Sequence, residues 1–174
     1  TVLSSVRFGN VMGSRGSVIP LFKKQILENG YVSVTNLEMK RYMMTLNQAI
    51  SLMLKANEMA LGGEVFVLKM PVVRLKDLAE VMIDRISAKY GITRAIEIKE
   101  IGLRPGEKLY EELMTDDEVV MSLESSDMYI IPSHFNRNRH YDGAMKTMDK
   151  PSLDKDRIIS QEVLGDWLIN EGLL

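Results

Sequence analysis

Two rhythms alternate along the chain, one with a period near two and one near 3.6. Residues 2–8 are rich in β-branched and aromatic side chains and predict a strand. Residues 9–16 hold Gly9, Gly13 and Gly16 and read as a loop. Ser17 then predicts the cap of a helix running to about Glu28, with Ile19, Phe22, Ile26 and Leu27 along one side and Asn29-Gly30 as its stop. Residues 31–35 alternate and predict a short strand. Thr45 and Gln48 are spaced as a capping box, and the helix behind them, to about Ala60, turns Ala49, Leu52, Met53 and Ala56 toward a core. Residues 64–70 predict an apolar strand whose end Pro71 weakens.

The second half continues the alternation. Residues 75–89 form an amphipathic pattern with Leu78, Ala79, Met82, Ile83 and Ile86 on one face, and Gly91 ends it. Residues 95–101 alternate around Ile96, Ile98 and Ile101. A helix is expected from Glu107 to about Met114, since Leu109 and Leu113 stand four apart. Residues 128–131 predict a last short strand, and residues 133–152 a polar loop or arm. Ser160 predicts the cap of a terminal helix, Gln161 to about Asn170, burying Val163, Leu164, Trp167 and Leu168. Interleaved helices and strands argue for an α/β fold.

Composition narrows the picture. The chain has 174 residues, enough for one domain or part of a larger one, and is 45% hydrophobic. A formal charge of −2 offers no global field for nucleic acid or an anionic membrane. With no cysteine, disulfides and thiolate metal sites are excluded. The thirteen methionines are scattered, as pliable core filler would be. No apolar run approaches the roughly 18 residues of a membrane span, and no signal pattern opens the chain. It starts on strand-like residues without Met, so a fragment of a longer protein is expected.

The densest chemistry lies in residues 102–113. Arg104 precedes Pro105 and is biased toward an extended backbone. Gly106 permits a sharp turn, and acidic residues follow. A guanidinium beside a helix start suits bidentate recognition of a phosphate; a charged loop-to-helix turn with an ordinary surface Arg fits the same spacing. His134 and His140 are six apart, which matches no helix face and no common zinc pattern, so a solvated loop is expected and no metal site. The pairs Asp116-Asp117 and Asp154/Asp156 read as caps or solvated charges.

The run Leu-Arg-Pro-Gly-Glu-Lys-Leu-Tyr-Glu-Glu-Leu at 103–113 resembles a motif of the UDP-N-acetylglucosamine 4,6-dehydratases, extended short-chain dehydrogenase/reductases of polysaccharide biosynthesis. Two further stretches match in the same order: residues 7–20 (Arg-Phe-Gly-Asn-Val-Met-Gly-Ser-Arg-Gly-Ser-Val-Ile-Pro), and Val34-Thr35 followed by residues 39–45 (Met-Lys-Arg-Tyr-Met-Met-Thr). The resemblance covers roughly residues 5 to 118. It implies an α/β fold in which Rossmann-like sheet strands join a small substrate-binding subdomain. Residues 1–132 would be the nucleotide-sugar-binding C-terminal part of a dehydratase, and 133–174 an extension with a terminal helix.

The resemblance also implies roles. Asn10 would reach the diphosphate or sugar, with Arg15 as a weaker phosphate candidate and Ser17 either a ligand or only a helix cap. Val34 and Thr35 would meet the uracil through their backbone, and Tyr31 would cover the base or simply pack. Arg41 and Arg104 would grip the diphosphate, and Glu107 would accept from the ribose hydroxyls. Lys40 stands where relatives often carry a small polar residue. None of these residues is an acid, base or hydride carrier.

The family reaction removes water across C5 and C6 of the sugar, with NAD or NADP taking a hydride from C4 and returning it at C6. The resembling enzymes hold that cofactor with a Gly-rich loop and move protons with a Tyr-x-x-x-Lys pair. No tyrosine here has Lys four residues on, and no loop carries the dinucleotide spacing. The cofactor-binding, catalytic half is therefore expected upstream of Thr1. The whole protein would be cytoplasmic and homo-oligomeric. A nucleotide-sugar epimerase and a non-catalytic UDP-sugar-binding module remain as alternatives.

Overall fold

The structure is a computed structural model and describes residues 1–103, 105–109, 111–134, 140–151 and 158–174. Five strands make the larger sheet. β1 (Ser5–Arg7) lies parallel to β5 (Val65–Leu68). Beyond them run β9 (Met128–Ile131), β8 (Leu123–Glu124) and β10 (Met145–Lys146), each antiparallel to its neighbour. A second sheet sets β4 (Lys40–Met44) between a parallel β2 (Asn10–Val11) and an antiparallel β6 (Val72–Arg74). A third pairs β3 (Tyr31–Val34) with β7 (Glu97–Glu100) in parallel.

The helices match the predicted periodicity closely. α1 (Val18–Glu28) buries Ile19, Phe22 and Ile26, while Leu27 stays exposed. α2 (Leu46–Met59) starts on the Thr45–Gln48 capping box and buries Ala49 and Ala56. Its Met53 lies on the open side, together with Leu46, Ile50 and Leu54. α3 (Leu75–Tyr90) ends at Gly91 in the left-handed conformation, φ 64°, where glycine carries no Cβ penalty. α5 (Gln161–Asn170) is capped by Ser160 and buries Leu164 and Leu168; Trp167 is half-buried and Val163 exposed. Two apolar clusters result. One joins α1, β3, α3 and α5 around Phe22, Ile26, Leu78 and Met82. The other gathers β5, β9, Tyr42, Met44, Met114 and Tyr141.

Three expectations need correction. The strand at 2–8 shortens to β1, with Val2 59% and Leu3 74% exposed. The polar stretch 133–152 contributes β10 to the larger sheet. The expected helix from Glu107 to Met114 does not form; among the described residues the helix there is α4 (Asp116–Met121). The carbonyls that a helix needs are spent elsewhere: Lys108 and Leu109 accept from the Arg41 guanidinium, and Leu113 accepts from Arg7. Leu109 packs against the first apolar cluster and Leu113 is buried in the second, so their spacing of four marks a bridge between cores and not one helix face. Thr115 and Glu118 form the capping box that fixes the real start.

Glu118 does two jobs. Its carboxylate caps α4 and receives a bidentate bond from Arg7, at 2.8 and 2.9 Å. The Arg7 bond, together with the Thr115 amide and against the cost of burial, holds the carboxyl down at about 2. A depressed carboxyl contributes stability above its ordinary value of 4.5 and loses it as pH falls toward 2. The Arg7 side chain is 38% exposed and partly screened by solvent, so the expected worth is about 1 kcal/mol. Glu118→Gln should therefore destabilise the protein at neutral pH and flatten the acid limb of its stability curve between those two values. Urea titrations at stepped pH test this.

Glu64 is a second anchor, with 1% of its surface exposed. It accepts from the amides of Leu61 and Gly62 and from the Tyr141 hydroxyl at 2.9 Å. Burial alone would raise its carboxyl, but the hydrogen bonds outweigh that and leave it below the ordinary range. Tyr141→Phe should cost about 1.5–3 kcal/mol, the range for a hydrogen bond to a charged group. The midpoint of urea unfolding should fall with little change in slope.

Candidate functional site

β2 and β4 run parallel, so Asn10 sits beside Tyr42 and Met43 and next to Arg41. The Asn10 amide donates to the Tyr42 carbonyl at 3.0 Å and to both oxygens of Glu111 at 3.2 and 3.3 Å. β3 ends one residue before Thr35, whose hydroxyl donates to Glu107 at 3.3 Å. Arg41 is the centre of the group, with only 10% of its side chain exposed. One terminal nitrogen donates to the Lys40 and Leu109 carbonyls at 3.0 and 3.1 Å; the other donates to the Lys108 carbonyl at 2.6 Å and stands 3.9 Å from Glu107. Its Nε faces Glu111 at 3.4 Å.

Four residues expected at the site therefore meet: Asn10, Thr35, Arg41 and Glu107. They reach it from two short strands, a strand end and the loop after Gly106, which turns with φ 81°. Asn10, Ser17 and Arg41 also line one cleft of about 180 Å³ with Met12, Ser14 and Met43. That is below the roughly 300–1,000 Å³ of small-molecule pockets, so the cleft has room for part of a nucleotide sugar. Ser17 stands at the N-cap of α1, but its side chain makes no cap bond; its Oγ is buried with no partner among the described residues.

Other expected residues fall differently. The Val34 side chain is buried and its carbonyl accepts from Ile101, so Val34 holds Thr35 in place. Tyr31 stands at the opposite end of β3 from Thr35, roughly 13 Å away at about 3.3 Å per residue. Its ring carries the Lys99 ammonium at 4.6 Å. Arg15 is exposed on the loop before α1. Arg104 lies outside the described residues, as do Asp154 and Asp156.

Glu111 is the residue that sequence reasoning missed. It lies within the motif at 103–113, on the stretch expected to be a helix from Glu107. The unwound backbone brings it to Asn10 and Arg41 instead. The described residues hold no group of three or more His, Cys, Asp or Glu able to bind a metal ion, and no helix long and apolar enough to cross a membrane.

The model of the family described as polysaccharide biosynthesis protein matches residues 1–133. An uncharacterized membrane protein of Methanocaldococcus jannaschii is 47% identical over 160 residues, which are 91% of this chain and 48% of that protein. The UDP-glucose 4-epimerase of Rickettsia rickettsii is 40% identical over 132 residues, 76% of this chain and 37% of the epimerase. The X-ray structure of Pen from Bacillus thuringiensis superposes with a TM-score of 0.88 at 51% identity, covering all of this chain and 52% of Pen. This chain spans about half or less of the length of the proteins it matches. With a family model matching 133 of its 174 residues, the chain belongs to the polysaccharide biosynthesis protein family.

Proposed function

We propose that this chain is the substrate-binding portion of a nucleotide-sugar-modifying enzyme, a UDP-N-acetylglucosamine 4,6-dehydratase of polysaccharide or glycan biosynthesis. The observation that carries the reading is the contact network that joins Asn10, Thr35, Arg41 and Glu107, two of which, Asn10 and Arg41, line one cleft. A nucleotide sugar asks for a cation with amide donors for its diphosphate and a carboxylate for its ribose hydroxyls. Arg41 and Asn10 meet the first need, with Arg104 as a second cation, and Glu107 meets the second. Thr35 orients Glu107 and offers its backbone to the base. Arg15 and Ser17 remain at the rim.

Other parts of the protein carry the remaining chemistry. NAD or NADP would supply the hydride shuttle, but the described residues do not fit it: the cleft is too small for a dinucleotide, and the loop 9–16 that lines it lacks the dinucleotide-binding glycine spacing. This chain's own residues bind and orient the sugar nucleotide. The full protein is expected in the cytoplasm as a homo-oligomer. An epimerase is the second reading, favoured by the 40% identity to the Rickettsia enzyme. Incubating the full protein with UDP-N-acetylglucosamine separates the two: a dehydratase product is lighter by one water, whereas an epimer keeps its mass.

Calorimetry with UDP tests the site itself. Arg41→Ala should weaken UDP binding by about 1.5–3 kcal/mol, the range for hydrogen bonds to charged groups. Glu107→Gln should weaken UDP and uridine binding alike while leaving the melting temperature without ligand unchanged. A large fall in that melting temperature would instead make Glu107 a fold residue, held by Thr35 and Arg41.

A further inference from the structure

Arg41 has five N–H groups, and the protein already spends most of them. The contacts are not equal. Those to the Lys108, Lys40 and Leu109 carbonyls run from 2.6 to 3.1 Å and belong to the backbone. Those at the Glu111 carboxylate are longer: 3.4 Å from Nε and 3.2 and 3.3 Å from the Asn10 amide. Glu111 is also three times as exposed as Arg41, 30% against 10% of the side chain. Its carboxylate is thus a loosely held anion, facing one guanidinium edge and one amide at a cleft that both donors line.

We infer that Glu111 is a place-holder for the anionic group of the ligand, occupying the Asn10–Arg41 position until a phosphate displaces it. This rests on the reading of the site as a nucleotide-sugar site and adds a step to it. Two arguments carry the exchange. A phosphate set beside Glu107 and Glu111 would meet two carboxylates around one buried cation, and like charges at such range repel. A phosphate is also the stronger acceptor, with more charge and more oxygens to share between Nε and the amide. The backbone bonds of Arg41 need not break, so the 107–109 backbone stays anchored while the Glu111 side chain swings out. Binding then carries a fixed handicap, because only the fraction of molecules with Glu111 displaced is ready for the ligand.

Calorimetry on the full protein, with UDP and with uridine as the phosphate-free control, tests this. Glu111→Gln keeps the shape and removes the charge; Glu111→Ala removes both. UDP should bind about tenfold tighter to each variant, and uridine should bind as it does to the unaltered protein. Unchanged or weaker UDP binding in Glu111→Gln overturns the place-holder, as does an equal gain for uridine, which would mean general loosening. If both variants unfold, Glu111 is a structural clasp and the inference falls. If the unaltered protein and both variants all ignore UDP, the nucleotide-sugar reading fails with it. If the unaltered protein binds UDP and the variants gain nothing, only the place-holder fails.

Discussion

A buried guanidinium must find acceptors, or its burial costs more than the fold can offset. Arg41 finds them in the main chain of residues 108 and 109, and this decides the shape of the site. Because those carbonyls turn toward Arg41, the segment after Gly106 cannot wind into a helix. Because it stays unwound, Glu107 reaches Thr35 and Glu111 reaches Asn10. Leu109 and Leu113 then drop into different apolar clusters and tie the two together. One side chain on a short strand thereby brings β2, β3, β4 and the 105–114 loop to a common point.

The far end of the chain supports the same loop. Lys150 bonds to Glu112 and Asp116, both at 3.0 Å, and the two carboxylates raise its ammonium above the ordinary lysine range. Thr147 accepts from the buried Ser122 hydroxyl at 2.8 Å, just past α4. Tyr141 closes on Glu64 at the head of β5. On the other side Leu173 lies against Gly13, where a Cβ would come within 2.4 Å of its δ-carbon; with φ 75° there as well, glycine is doubly required. Residues beyond the family match at 133 are therefore packed against both loops of the candidate site.

Much of this was legible before any coordinates. The four helices other than the displaced one near 107 illustrate why: α1, α2, α3 and α5 each carry a cap or stop residue and a 3.6-residue stripe, and local chemistry of that kind acts wherever the chain goes. Motif resemblance singled out Asn10, Thr35, Arg41 and Glu107, and the fold brings these four into one contact network. β4 was not legible, because Arg41, Tyr42, Met43 and Met44 are all buried and a strand covered on both faces shows no alternation. The two-residue strands β2, β8 and β10 are too short for any period to appear.

Residues 107–114 mark where local information stops. Their acidic start and the four-residue leucine spacing are the marks of a helix, yet no helix forms there among the described residues. Backbone carbonyls serve whichever donor reaches them with the better charge, and a guanidinium 67 residues away in sequence displaced the helical amides. Sequence fixes the donors and acceptors that each segment carries. Which of them meet depends on chain segments far apart being packed side by side, and periodicity within one segment holds no record of that.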